Sequence, residues 1–135
     1  PHAGVPAYLN LMDVLALPSL TTARWREQFG RVLTEAMACE VPVVGSSSGA
    51  IPEVIGEAGL VAPEGDPLAL RAALARLAAD EPLRAALAAA GRARVLRHFT
   101  WERAAERYKA VYDGLLDGSL AGEARPEWAV AGGGA

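Results

Sequence analysis

The chain predicts an α/β fold: a parallel sheet with helices on its faces, closed by a helical C-terminus. Three observations lead there. Three short apolar runs, at 13–17, 41–44 and 60–61, have the composition and length of buried strands. A helix-length segment separates the first two, so the order is strand, glutamate-bearing loop, helix, strand, and short crossovers of this kind favour parallel neighbours. After the third run the chain becomes alanine-rich and carries three helix-start signals.

Taken in order, DVLALPS at 13–19 reads as a buried strand ending in a turn, residues 31–39 as a helix, and VPVVG at 41–45 as the next buried strand. Glu53 follows Pro52 and reads as a first-turn charge favoured by the helix dipole. Asp66-Pro67 places a good N-cap before a proline at the first helical position. Leu68, Leu70, Leu74 and Leu77 then form an apolar stripe. A second helix starts at Glu81-Pro82, anchored by Leu83, Leu87, Val95 and Leu96, with Gly91 as a weak point. Thr100 caps a third, which carries Trp101, Ala105, Tyr108, Val111, Tyr112 and Leu115; Arg103 stands where a capping box would have Glu. Residues 118–135 lack periodicity and read as a flexible tail behind a domain spanning 1–117.

Composition narrows the function. With 135 residues, 52 % hydrophobic and 21 % charged, the chain reads as one soluble domain with no apolar run near the roughly 20 residues of a membrane span. A net charge of −3 argues against general nucleic-acid binding, which favours a basic face. A single cysteine, Cys39, excludes an internal disulfide and suits a reducing, cytoplasmic compartment. His2 and His98 have no metal-ligand partners at a recognised spacing, so no metal is expected.

Glu27 and Glu35 lie on either side of the Phe29-Gly30 step, where the loop gives way to the helix. An open helix N-terminus offers unpaired N–H groups and partial positive charge to a diphosphate, and flanking carboxylates can accept hydrogen bonds from sugar hydroxyls. Glycine at such a turn permits close backbone approach. The arrangement suggests a site for carbohydrate transfer.

With these runs in place, the chain resembles the C-terminal part of the retaining, nucleotide-sugar-dependent glycosyltransferases of the GT-B fold (glycosyltransferase family four, or group one). The resemblance rests on DVLALPS at 13–19, EQFG at 27–30 with EAMAC at 35–39, VPVVG at 41–45, GAIPEVI at 49–55, GLVAP at 59–63 with Gly65 and Asp66, and FTWE at 99–102. It spans residues 8–117 in unbroken order. Two departures stand out. Glu40 occupies the position where family members usually have a glycine that ends the helix left-handed, which bears on local stability more than on chemistry. The loop at 20–26 is longer and more basic than the shortest family versions, and is expected to shape the sugar pocket.

The resemblance implies a Rossmann-like three-layer fragment that supplies the donor-binding half of the enzyme. It implies that Glu27 is catalytic, contacting sugar hydroxyls near the reacting carbon. The backbone of Phe29, Gly30 and Arg31 would face the sugar and phosphates, and Glu35 would hold the ribose. The nucleoside-diphosphate sugar is a substrate, and no cofactor is implied. Only three strand candidates are present, against five or six in a full doubly wound domain, and the chain opens Pro1-His2 without Met. The expectation is therefore a part of a longer protein. Elsewhere in it would lie the basic residues that clamp the diphosphate and an N-terminal domain that binds an acceptor sugar, lipid or small molecule. Polysaccharide or glycolipid synthesis in the cytoplasm or at the inner face of a membrane is implied, with this chain inactive alone. The last helix commonly crosses back to the N-terminal domain, so part of its face is expected to be uncovered here.

Each residue also has a plainer reading. Glu27 and Glu35 read as solvated charges when stripped of context, Phe29 as core, Gly30 as a turn residue, Arg31 as a surface charge, residues 46–49 as a polar turn rather than a second phosphate-facing loop, and Arg92, Arg94 and Arg97 as a solvated helix face. Two other functions compete. One is a non-catalytic nucleotide-sugar binding or interaction module. The other is a nicotinamide-dependent dehydrogenase domain, ranked last because Gly45 and Gly49 have no third glycine in register.

Overall fold

The computed structural model describes residues 4–117, so His2 and the tail expected at 118–135 lie outside the described residues. The elements run α1 (Val5–Leu9), β1 (Leu15–Leu17), α2 (Arg31–Ala38), β2 (Val43–Ser46), α3 (Ile51–Ile55), β3 (Leu60–Ala62), α4 (Pro67–Ala79), α5 (Glu81–His98) and α6 (Trp101–Asp117). α1 was not among the expected elements. The three expected runs are parallel neighbours in the order β1-β2-β3, with Leu15 opposite Val43 and Val44 opposite Leu60. β1 is shorter than its apolar run, starting two residues after Asp13.

Strand β2 is central and buried throughout. Because successive side chains of a strand point to opposite faces, Val43 packs with Leu33, Met37, Ile51 and Ile55 of α2 and α3, while Val44 packs with Leu77 of α4 and Leu87 of α5. Three layers result. Helix starts follow local chemistry: Asp66 Oδ1 accepts from the Leu68 and Ala69 N–H groups at 2.9 Å each, and Asp80, one residue before the expected start of α5, accepts from the Leu83 N–H at 2.8 Å. The Arg103 N–H donates to Thr100 Oγ1 at 3.3 Å, as the expected cap requires.

Several residues behave differently from their sequence reading. Gly91 is less a weak point than a contact, for it is buried and a Cβ there would sit 3.0 Å from Met37 Cγ, so its missing side chain lets α5 approach α2 closely. Arg92, Arg94 and Arg97 of α5 do not share a solvated face. Arg92 Nη1 donates to the Ala38 carbonyl at 2.7 Å, beyond which Glu40 ends α2 in the left-handed region with φ 59°. Arg94 donates to the Val54 and Glu53 carbonyls at 2.8 and 2.6 Å, satisfying acceptors that the short helix α3 leaves open. Burial holds the Arg94 guanidinium below its ordinary pKa, with the Glu57 carboxylate acting in the opposite direction. Arg97 stays exposed. Leu68 and Leu96 drop out of their apolar stripes, being exposed at the helix surface. The apolar face of α6 is uncovered as expected, with Trp101 89 % exposed and Tyr108, Tyr112 and Leu115 also open.

Candidate functional site

Three loops gather at the C-terminal ends of the strands, the rim where open parallel sheets bind ligands. They are 18–30 after β1, 47–50 after β2 and 63–66 after β3. Side chains join them. Ser46 Oγ donates to the Ser19 carbonyl at 2.6 Å, and the Thr21 and Ser48 hydroxyls are 2.9 Å apart. Thr21 binds Glu64 twice, its hydroxyl donating to Oε2 at 2.8 Å and its N–H donating to Oε1, while the Glu64 N–H donates to Ser47 Oγ at 2.9 Å. The three serines are thus engaged within the protein, which is the polar-turn reading of this stretch.

Glu27 sits where loop meets helix. Its Oε1 accepts from the Gly30 N–H at 3.0 Å and lies 3.5 Å from the Phe29 nitrogen, while Oε2 is 3.4 Å from the Ser19 hydroxyl. The carboxylate therefore covers the start of α2, taking a place that the helix dipole makes favourable for any anion. Gly30 is the N-cap, at φ 76° and ψ 53°, and a Cβ there would crowd Leu33 and Leu17. On the other side of Glu27, its carbonyl accepts from the Ala50 N–H at 3.0 Å, and a Cβ on Gly49 would fall 1.8 Å from that oxygen. Both glycines are therefore demanded by backbone conformation or by close approach.

The remaining predicted residues spread around this point. The Phe29 ring meets Phe99 edge to face, with centroids 5.6 Å apart, so its side chain serves packing. Arg31 points outward and pairs with Glu35 one turn on, Nε to Oε1 at 3.2 Å. Glu35 is partly buried and lines a cleft of about 230 Å³ between α1 and α2, with Val5, Pro6, Leu9 and Cys39. Glu27 instead lines a cleft of about 640 Å³ with Arg24, Trp25, Arg26, Gly49 and Glu53. The two glutamates thus flank the helix start from different clefts.

Sequence reading passed over Trp25 and Glu53 as cleft residues, and Glu64 as the tie between loops. The unusual length and basic character of the loop at 20–26 pointed toward the first. Nothing local marks Glu64, whose partner Thr21 is 43 positions away. Among the described residues no group of three or more His, Cys, Asp or Glu is placed to hold a metal ion, and no helix is long and apolar enough to cross a membrane.

The family model for glycosyl transferases group 1 matches residues 2–80. The chain belongs to that family. It is 34 % identical over 110 residues to N-acetyl-alpha-D-glucosaminyl L-malate synthase of Bacillus anthracis, an alignment covering 79 % of this chain and 29 % of that protein. It is 38 % identical over 113 residues to phosphatidyl-myo-inositol mannosyltransferase of Mycobacterium leprae, covering 82 % of this chain and 29 % of the relative. Among solved structures, sucrose-phosphate synthase from Thermosynechococcus elongatus superposes with a TM-score of 0.74 at 34 % identity, over 87 % of this chain and 29 % of that one. The chain therefore spans just under a third of each of these proteins.

Proposed function

We propose that this chain is the donor-binding part of a glycosyltransferase that moves a sugar from a nucleoside diphosphate to an acceptor with retention of configuration. Residues 1–117 would form the C-terminal part of the nucleotide-sugar domain. The observation that supports it best is the start of α2: a left-handed glycine and a carboxylate at an anion-favouring helix end, on the sheet's ligand-binding rim, within a family of glycosyl transferases.

The roles follow from charge. As the C1–O bond to the diphosphate breaks, the sugar becomes oxocarbenium-like and negative charge concentrates on the phosphates. Preorganised donors aimed at that charge are usually the largest catalytic contribution. The amides of Phe29, Gly30 and Arg31 supply them here, and Glu27, whose carboxylate accepts from the Gly30 amide, exchanges that bond for sugar hydroxyls when the donor binds. Glu35 accepts from the ribose hydroxyls. The acceptor oxygen attacks from the side of the departing diphosphate, which takes the acceptor proton, so configuration is retained. The basic residues that clamp the diphosphate belong to the longer protein, as does the acceptor domain. The names of two relatives carry an anionic group, L-malate in one and phosphatidyl-myo-inositol in the other, which supports an anionic acceptor. Cys39 as a free thiol suits the cytoplasm or the inner face of a membrane.

Nucleotide release from a panel of uridine and guanosine diphosphate sugars, measured on the longer protein, tests the reaction, and the anomeric signal of the product by NMR tests retention. No nucleotide release from any donor would leave only a binding module.

A further inference from the structure

The cleft beside Glu27 combines three kinds of group that the donor roles do not use. Trp25 is half-exposed there. Arg24 and Arg26 line the same cleft, and neither pairs with a carboxylate among the described residues. Glu53, on the first turn of α3, adds a second carboxylate beside that of Glu27.

The loop presenting these groups is held in shape before any ligand arrives. The Thr22 N–H donates to the Trp25 carbonyl at 2.7 Å, and Thr22 Oγ1 accepts from the Arg24 and Trp25 N–H groups at 3.3 and 3.1 Å. Its base is tied to the other two loops through Thr21, which meets Ser48 and Glu64. A loop backbone held in this way can present its side chains to a ligand without first losing much loop entropy. The groups are also complementary to one kind of molecule. An indole face suits the apolar face of a saturated ring, carboxylates accept from ring hydroxyls, and guanidinium groups bind phosphate or carboxylate with strong charge-assisted hydrogen bonds.

We propose that this cleft is a specificity subsite for a polyhydroxylated ring carrying an anionic substituent, with Trp25 stacking on the ring and Arg24 and Arg26 holding the anion. The role as an acceptor subsite rests on the glycosyltransferase reading above. The binding itself does not. Two sources of the anion are conceivable, a substituent on the ring and the diphosphate of the donor, and they are separable by experiment.

The test is calorimetric titration of the longer protein, wild type and variants, with glucose 6-phosphate, glucose, inorganic phosphate, UDP and GDP as probes. The wild type is expected to bind glucose 6-phosphate at least about tenfold more tightly than glucose or inorganic phosphate, the lower end for a charge-assisted bond. The double variant Arg24→Gln/Arg26→Gln should lose the preference over glucose. Trp25→Ala should lose the preference over inorganic phosphate, and Trp25→Phe should restore much of it. All three substituted positions are exposed, and circular dichroism checks that the variants fold. Equal binding of glucose and glucose 6-phosphate by the wild type overturns the proposal, and so does a preference that survives the double substitution. A parallel fall in UDP or GDP affinity in the double variant also overturns it, by assigning the arginines to the donor diphosphate. Failure of the glycosyltransferase reading shows separately, as absence of nucleotide release from the donor panel by the wild type.

Discussion

At the scale of single residues, Glu27 and Glu35 are separable by experiment because their surroundings differ. Glu35 is paired with Arg31 and lies in its own cleft. If it holds the ribose, Glu35→Gln should weaken donor binding by roughly 1.5–3 kcal/mol, the range for hydrogen bonds to a charged group, and raise KM more than it lowers kcat. Glu27 lies next to the helix start where the sugar is proposed to react, and its interaction can strengthen as positive charge develops. Glu27→Gln should lower kcat about ten- to a thousandfold with modest loss of donor affinity. Steady-state kinetics on the longer protein decides between them, and wild-type turnover by both variants would reduce the pair to a helix cap and a surface ion pair. Glu40 supplies a stability prediction. Its left-handed backbone, φ 59°, costs a residue with a Cβ about 1–2 kcal/mol, while its half-exposed pairing with Arg92 at 3.4 Å returns little. Glu40→Gly should therefore stabilise by about 0.5–1 kcal/mol, after the entropy of the added glycine is counted. Glu40→Ala, which keeps the strain, should give no gain, and urea unfolding of the two variants compares them directly.

Among the elements, α5 does the most to hold the layers together. It packs through Leu87 on one side of the sheet, touches α2 at Gly91, and ends by clasping α3. Arg94 makes that clasp, with its guanidinium packed against Gly56 and 5.7 Å from the centre of the Phe99 ring. Since Glu53, one of the residues whose carbonyl it binds, also lines the large cleft, the clasp fixes a wall of the site. Arg94→Met keeps much of the apolar stem but leaves two carbonyls without their donor, and should cost about 1–3 kcal/mol. An unchanged urea midpoint would show that water replaces the guanidinium without loss. The sequence pattern placed α5 correctly yet misread its arginines, since spacing along a helix shows which residues share a face but not what stands opposite that face.

For the whole molecule, the question is what a chain covering 29 % of its relatives can do by itself. The rim carries the start of α2 and Glu27, with Glu35 in its own cleft one turn on, but not the basic clamp that the family resemblance assigns to strands outside this chain. Binding of a uridine or guanosine diphosphate sugar to the isolated chain should accordingly be weak, about millimolar, or about 4 kcal/mol. Submicromolar binding by calorimetry would mean that the residues present here already hold the diphosphate.

The parts legible in the sequence were those governed by local physics. Apolar runs marked the buried strands, as at β2, and capping chemistry starts α4 at Asp66 and α6 at Thr100. Ordered short motifs were enough to identify the family. Tertiary structure alone decided which loops meet and what the cleft contains: Thr21 with Glu64, Ser46 with Ser19, Arg94 with α3, and Trp25 beside Glu27 and Glu53. The physical reason is that a cap or an apolar stripe is settled within one or two turns of chain, whereas the partner of a threonine or an arginine is whichever group packing brings within hydrogen-bond reach.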